Sequence, residues 1–368
     1  MSKVAPPFRA DHVGSLLRPP AIHVARGRRG RGEIDDAELR SIEDAAIAEM
    51  IPKLEATGIQ SITDGEFRRE WFHLDFLQQL DGVTVSGAIA SSSNSKETVH
   101  MTPPKISVTG KLRHARTIQV EDFRFVAEHT DRTPKVAIPS PTMVHFRGGR
   151  GGIDIESYPD LDEFFDDLAQ CYRDEIGALY AAGCRYLQLD DTNLAYLCDP
   201  VMRQGAVDRG DDPDELPRTY AALINHALDQ RPDDLMVGIH LCRGNFRSTH
   251  FASGSYEAVA EVLFNEIDVD AYFLEYDDER SGDFAPLRFV PPNKTVVLGL
   301  ITSKRPELEP LDELSARVGE AAHFVPMEQL CLSPQCGFAS TVEGNALTAD
   351  EQWAKLRHVV DVAGRIWG

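Results

Sequence analysis

The segment GIHLCRGN sets an imidazole, His240, two residues before a thiol, Cys242, at the end of the apolar run LMVGIH. At a strand end both side chains can turn to one side. An imidazole and a thiolate make a borderline-soft donor pair that suits Zn2+. Alone the pair is weak evidence, since a strand-end histidine beside a buried cysteine also accounts for it. Two more residues bear on the choice. Glu275 follows Ala-Tyr-Phe-Leu, and a carboxylate buried in such a run is costly without a cation or metal beside it. A salt bridge to Arg280 or Arg243 is the structural alternative. Cys336 lies in SPQCGF, where Pro334 and Gly337 hold an irregular turn. If His240, Cys242, Glu275 and Cys336 share one cavity, they offer Zn2+ three anionic ligands and leave one exchangeable position.

A metal so placed acidifies whatever fills the open position: water becomes hydroxide and a thiol loses its proton. A sulfur-rich anionic ligand set makes the ion a modest Lewis acid toward water, while a bound thiolate stays electron-rich. Thiolate activation for alkylation is therefore the favoured chemistry. Glu66 in TDGEF and Asp190 in LQLDD end two other strand-like runs, where two carboxylates could hold a substrate ammonium. They are the candidate catalytic and substrate-binding acids. Ion pairs with Arg68, Arg69 or Arg185 are their structural alternative.

Short runs rich in Val, Ile, Leu or Tyr must position these groups. Eight candidate strands end near Gly14, Asp64, Ser140, Asp190, His240, Tyr276, Leu300 and Leu332. Between them, apolar residues at helical spacing predict helices over 36–57, 160–182, 214–229, 254–265, 310–322 and 349–366. Gly58 and Gly183 stand where helices should stop in left-handed geometry. Thr348 and Glu351 have the spacing of a capping box. Eight such units predict an α/β fold closed into a (β/α)8 TIM barrel, a single catalytic domain over residues 1–368. An open doubly wound sheet in two domains is the rival, but no G-x-G-x-x-G follows the first strand. The stretch 81–111, with alternating β-branched residues and a Ser-rich middle, predicts a β-hairpin insertion with a mobile tip at Ser91–Ser95, a lid or an oligomer contact. A homo-oligomer is compatible with it.

The whole chain has 368 residues, with 38 Lys+Arg against 59 Asp+Glu and a formal charge of -21. Nucleic acid is an improbable partner for such a balance. The one dense basic run, Arg26, Arg28, Arg29 and Arg31, reads as a solvated loop. No apolar stretch approaches the ~18 residues of a membrane span, and the N-terminus lacks a signal-peptide core, so no membrane association and a cytoplasmic location are expected. In a reducing compartment the six cysteines are core residues or metal ligands rather than disulfides. Cys171, Cys184 and Cys331 look like small hydrophobes, and Cys198 is less clear.

HVGSLLRP, TDGEFRRE, LQLDD, GIHLCRGN, FLEYDDERSGDF, SPQCGF and the closing W-G, in this order, resemble the cobalamin-independent methionine synthase family. The closer likeness is to its short members, which correspond to the C-terminal catalytic half of the long enzymes. The resemblance implies a zinc cofactor on His240, Cys242, Glu275 and Cys336. It implies a turn, Val13-Gly14-Ser15, holding the homocysteine backbone, and Glu66 and Asp190 taking its amino group. The expected reaction is S-methylation of homocysteine to methionine, as in the 5-methyltetrahydropteroyltriglutamate-homocysteine S-methyltransferases.

Departures from the family fall on the donor side. A second, N-terminal barrel is not expected, and the charge of -21 gives no general attraction for a polyglutamate tail. The family's folate-stacking tryptophan falls on Phe146, its Arg-Cys pair on Val99-His100, and its proton-donor histidine near Thr302. His12 and His73 are the candidate replacement acids. The methyl donor is thus expected to be a folate, a methyl-corrinoid protein or a small methyl compound. An epoxide:coenzyme M transferase is an alternative that Glu66 and Asp190 disfavour, because its thiol carries a sulfonate and no ammonium. A non-catalytic zinc-binding barrel is the second alternative.

Overall fold

The computed structural model describes residues 5–87, 90–93, 99–102, 104–245, 248 and 251–368. Its strands are β1 (Ser61–Ile62), β2 (Asp81–Ser86), β3 (Ala90–Ser93), β4 (Val99–Thr102), β5 (Lys105–Arg113), β6 (Thr133–Pro134), β7 (Val136–Pro139), β8 (Tyr186–Asp191), β9 (Met236–Leu241), β10 (Ala271–Glu275), β11 (Thr295–Ile301) and β12 (Leu330–Pro334). The helices are α1 (Pro20–Gly30), α2 (Asp36–Ala56), α3 (Leu74–Leu77), α4 (Val120–Glu128), α5 (Leu161–Ala181), α6 (Asn193–Tyr196), α7 (Pro200–Asp208), α8 (Leu216–Leu228), α9 (Ala260–Asn265), α10 (Leu311–Ala321) and α11 (Ala349–Trp367).

β7 to β12 form one parallel sheet in sequence order. β1 pairs in parallel with β6, which continues through Lys135 into β7. The predicted first strand, ADHVGS, makes one parallel bridge, Ala10 to Leu332, with Asp11 N donating to Leu332 O at 2.9 Å. It forms no ladder, because the Asp11 carboxylate competes for the chain by accepting from Phe8 N and His12 N. Side chains join it to β1 instead: His12 Nε2 lies 2.9 Å from Ser61 O, Ser61 Oγ donates to Asp11 Oδ1 at 2.7 Å, and Thr63 Oγ1 to Gly14 O at 2.9 Å. Eight successive positions thus follow one another around a ring, the (β/α)8 arrangement.

Inside the ring pack Val13, Tyr186, Phe273, Val297 and Cys331. Lys135, fully buried, lies over the rings of Tyr186 and Phe273 and donates to Asp11 Oδ1 at 3.3 Å and His12 O at 2.6 Å. Tyr186 donates to the other Asp11 oxygen at 2.7 Å. This network pins residues 11–14, which carry the first candidate site turn.

The long helices follow the apolar spacing within about two residues at most ends. Thr348 and Glu351 form the expected capping box, and Gly58 and Gly183 take φ of 97° and 106°. The 254–265 segment is broken into a 3-10 turn at Tyr256–Ala258 and α9. The basic run is not a loop. Pro20 opens α1, Ile22 and Ala25 are buried, and Arg26 is anchored to Phe67 O at 2.7 Å and Glu43 Oε1 at 3.3 Å. Arg28, Arg29 and Arg31 are paired at the surface with Glu38, Asp36 and Glu33. The glycines that suggested a loop sit on the open side of a helix whose apolar face is only two residues wide.

In the 81–111 stretch β2 pairs antiparallel with β5, and β3 with β4. Of the predicted tip, Ser91–Ser93 belong to β3, and residues 94 and 95 lie outside the described residues. Among the described residues no helix is long and apolar enough to cross a membrane. All six cysteines are buried.

Candidate functional site

His240 sits near the end of β9, and Cys242 just beyond it continues the ladder, its N donating to Asp191 O at 2.8 Å. Residues two apart on a strand share a face, so both side chains point to the same side. Glu275 ends β10, and Cys336 follows β12 in the turn closed by Gln335 N to Ile301 O at 2.8 Å. One donor atom from each of the four residues lies within 4.8 Å of all the others, and all four side chains are buried.

Their geometry fits a zinc ion. Cys242 Sγ and Cys336 Sγ are 3.5 Å apart, far beyond the ~2.05 Å of a disulfide and near the roughly 3.8 Å between two thiolates on one tetrahedral zinc. Both His240 nitrogens and Glu275 Oε1 are buried without a hydrogen-bond partner among the described residues. His240 Nε2 lies 3.9 Å from that Oε1. The other oxygen, Oε2, is held by Arg280 at 3.4 Å. The expected salt bridge therefore exists, but it engages only one edge of the carboxylate. Arg243 lies over the Tyr256 ring at 4.3 Å.

Electrostatics show how much this cluster calls for a cation. Burial, then the Cys336 thiolate, pushes Glu275 up to about 7. Burial pulls His240 down, but Cys336, Asp190 and Glu275 outweigh it and raise the imidazole to about 9. The two thiols split in opposite directions: the mutual hydrogen bond drives Cys242 well up and Cys336 well down. Four donors that compete for protons in this way are a set that a divalent ion would relieve.

Beside the cluster lies a cavity of about 650 Å3, counting its open mouth. Val13, Ser15, Glu66 and Asp190 line it together with His240, Cys242 and Cys336. The turn is built by close approach. Ser15 O accepts from Phe338 N at 2.9 Å and Ser15 Oγ from Ala339 N at 3.2 Å, and a Cβ on Gly337 would lie 1.8 Å from Ser15 Oγ. Gly14 has φ of +146°, and a side chain there would strike Glu66 Oε1 at 2.7 Å.

Of the two adjacent aspartates only Asp190 lines the cavity. Asp191 is consumed by Thr142 Oγ1 at 2.6 Å and Leu194 N at 2.8 Å. Gln188 donates to both Asp190 Oδ1 at 2.7 Å and Val13 O at 2.8 Å, tying the fourth strand position to the first. Glu66 takes a left-handed backbone, φ 58°, an energetically strained choice for a non-glycine residue that turns its side chain inward. Arg69 pairs with Glu66 and stands 3.9 Å from Asp190. Arg68 is engaged elsewhere, with Asp44, Asp64 and Asp122, and Arg185 with Asp234. Burial raises the Glu66 carboxyl to about 8 against the pull of Arg69, and raises Asp190 as well.

The remaining wall escaped sequence reasoning. It includes Trp71, Phe72, Arg147, Tyr196, Asn245 and Phe251, which follow the second to fifth strand positions, and Ser340 and Thr341 after the eighth. Only the REWFH run hinted at it. His73 also lines the cavity, whereas His12 is buried against Ser61 O. Phe146 does not reach the cavity: it is buried against Tyr196 and Tyr220 beneath the Arg209 guanidinium. Thr302 is buried, its N bound to Glu309 Oε1 at 2.8 Å. Val99 and His100 lie in β4, and their side chains fall outside the described residues.

Fold and site together define a parallel α/β barrel carrying a buried, sulfur-rich candidate metal centre at the C-terminal ends of its strands. The chain belongs to the family described as Cobalamin-independent synthase, Catalytic domain, whose model matches residues 8–365. It is similar to the uncharacterized protein YxjH of Bacillus subtilis (strain 168), at 48% identity over 98% of this chain and 95% of that one. It is also similar to a methionine synthase of Pyrococcus abyssi, at 26% identity over 88% of this chain and 84% of that one. A solved structure from Listeria monocytogenes superimposes with a TM-score of 0.80 at 42% identity, covering 100% of both chains.

Proposed function

We propose that this protein is a zinc-dependent methyltransferase that alkylates a thiol, homocysteine first among them, to give methionine. The observation that carries the reading is the buried His240/Cys242/Glu275/Cys336 cluster, its donor atoms within 4.8 Å of one another, beside a cavity also lined by Glu66 and Asp190. The likeness to a methionine synthase of Pyrococcus abyssi supports it. These four side chains would hold the zinc ion, which when bound supplies the Lewis acidity that keeps a thiol substrate as its thiolate.

The chain's own residues then bind and orient. Val13, Gly14 and Ser15 hold the amino-acid backbone. Asp190, fixed by Gln188, and Glu66 receive the ammonium, with Arg69 giving way to it. Arg280 keeps Glu275 turned toward the cluster. The substrate sulfur attacks the donor's methyl carbon; the new C–S bond forms as the methyl–donor bond breaks, and the bonding pair leaves with the donor atom. In this reading residues 1–368 act as one barrel, the 81–111 hairpin is an insertion on it, and the buried cysteines of the core suit a reducing cytoplasm.

Zinc absorption spectroscopy on the purified protein tests the proposal. Added homocysteine should contribute one new Zn–S ligand. A zinc sphere unchanged by thiol would refute the transferase reading and leave a structural zinc barrel in its place.

Arg69 favours one second reading. Its guanidinium stands where the ammonium would bind, so an anionic thiol such as coenzyme M could pair with it instead. Around Arg69 itself two carboxylates, Glu66 and Asp190, outnumber the guanidinium, which favours a cation over an anion at that position and supports homocysteine as the first candidate. Parallel titrations with the two thiols decide between them.

A further inference from the structure

Arg18, in the HVGSLLRP motif, has no part in the proposed chemistry, yet it is buried and its guanidinium donates to backbone carbonyls on both sides. Nη2 bonds Glu66 O and Arg69 O, each at 2.8 Å, and Nη1 bonds Ala339 O at 3.2 Å and Thr341 O at 3.0 Å. The first pair belongs to the loop after the second strand position, the second pair to the loop after the eighth. Charge-assisted bonds from a planar fork fix direction as well as distance. A cation taken out of water for carbonyls and no carboxylate is a costly device, and packing alone would need no charge.

The need for it lies in how the barrel closes. The first strand position forms no ladder, so strand pairing does not set the gap between the second and eighth positions. Backbone contacts across that seam are isolated: Leu16 N donates to Gly65 O at 3.0 Å, Phe338 N to Ser15 O at 2.9 Å, and Trp71 bridges to Thr341. Arg18 grips both sides from one group. On one side it holds the turn in which Glu66 keeps a φ of 58°, a conformation that persists where its neighbours over-determine it. Arg26 assists on that side alone, bonding Phe67 O at 2.7 Å and Arg69 O at 3.2 Å. On the other side the gripped carbonyls flank Ser340, whose Oγ lies 3.4 Å from Cys336 Sγ.

We infer that Arg18 is a positioning residue that sets the span between the ammonium anchor and the metal cluster, and through that span the chain length of the amino-acid thiol accepted. The inference rests on the thiol-alkyltransferase reading, in which the sulfur meets the cluster while the ammonium meets Glu66 and Asp190. A thiol bound at both ends must match the distance between them. Homocysteine and cysteine differ by one methylene, so a fixed span fits one and strains the other. A loosened span tolerates both. Arg18 does not line the cavity; it acts through the backbone of the Glu66 loop and of the Cys336 turn.

Calorimetric titration of the zinc-loaded protein with homocysteine and with cysteine reads the span. Wild type should prefer homocysteine by about tenfold or more, the scale of one methylene in a fitted site. Arg18→Lys keeps the charge but not the fork. It should cut that preference by about fivefold, the worth of one net hydrogen bond, mainly through weaker homocysteine binding. Arg26→Lys, altered on the Glu66 side alone, should lower both affinities alike and keep the preference. A preference unchanged in Arg18→Lys, or absent from a wild type that binds both thiols, would overturn the assignment. So would failure of both Arg18→Lys and Arg18→Gln to fold, which would make Arg18 a pillar of the fold and not of specificity. Hydrogen-exchange mass spectrometry without thiol reads the clamp itself. Arg18→Lys should lose protection in 65–71 and 337–341 together, and Arg26→Lys in 65–71 alone; unchanged exchange at 337–341 in Arg18→Lys refutes the clamp. A wild type that binds neither thiol refutes the transferase reading, and the exchange result still decides the clamp.

Discussion

Gly337→Ala should damage the site without replacing a metal ligand or a substrate-binding residue. The added Cβ would lie 1.8 Å from Ser15 Oγ, 2.9 Å from Ser15 Cβ and 3.2 Å from Ser15 N. The hydroxyl can rotate away, at the cost of the bond it accepts from Ala339 N. The Cβ contact can be relieved only by moving the backbone of the Val13–Ser15 turn or of the Cys336 turn. Overpacking of this kind costs about 2 kcal/mol. For a chain of 368 residues the unfolding entropy is about 0.8 kcal/mol/K, so the melting temperature should fall by roughly 2.5 °C. Thiol affinity should fall with it, because the turn that moves is the one proposed to hold the substrate backbone. Ser15→Gly removes both side-chain contacts and on its own loses about 1 kcal/mol with the Ala339 bond. In the double variant the two losses should therefore not add; a coupling of about 1 kcal/mol in the stabilising direction is expected. Differential scanning calorimetry of the four proteins in zinc buffer measures the cycle. A Gly337→Ala protein as stable as wild type, or strictly additive losses, would refute the close-approach account of this turn.

Other outcomes follow from the same geometry. Cys336→Ser should fold but lose tightly bound zinc, and elemental analysis showing full zinc occupancy would remove Cys336 from the ligand set. Asp190→Asn should keep its zinc and raise the thiol KM by about tenfold, the worth of a charge-assisted contact; an unchanged KM takes Asp190 out of the substrate site. Lys135→Met strands the buried Asp11 carboxylate that it pairs with at 3.3 Å, which should cost about 3 kcal/mol or more in urea denaturation. Glu43, raised by burial from 4.5 to about 7 despite Arg26, holds its proton more tightly folded than unfolded. Its contribution to stability is complete below pH 4.5 and is lost as pH rises through 7. The stability difference between wild type and Glu43→Gln should shrink toward the Gln variant over that window, and a pH-independent difference refutes the assignment.

What was legible in the sequence is what strand geometry dictates. A period of two puts His240 and Cys242 on one face, and the end of an apolar run marks where a side chain meets the cavity, so Glu66, Asp190 and Glu275 could be picked out from position alone. Local chemistry made the Thr348–Glu351 box and the Gly58 and Gly183 stops equally plain. The losses have a common cause. Which of Arg68, Arg69 and Arg185 faces Glu66 depends on how the loop after β1 turns, and the positive φ at Glu66 that decides it leaves no mark in the residue types. Trp71, Arg147 and Phe251 sit in loops without periodicity, where neighbours in space are not neighbours in any pattern. Phe146 was placed by counting from Pro141, but the 3-10 turn at Pro141–Val144 winds its ring into the core.

The acids of the site share a construction that bears on how a buried anionic cavity can exist at all. Glu275 gives Oε2 to Arg280 and leaves Oε1 toward His240. Glu66 gives Oε2 to Arg69 and leaves Oε1 beside Gly14. Asp190 gives Oδ1 to Gln188 and leaves Oδ2 toward the cavity, 3.9 Å from Arg69. In each case the scaffold ties one oxygen and frees the other. The tether fixes the carboxylate's direction and offsets part of its desolvation, so a ligand arriving at the free oxygen meets a group already aimed. An acid tied at both oxygens, as Asp191 is, would be structural and inert. One left free at both would be protonated or turned away. Single tethering is the condition under which these side chains can be both buried and available.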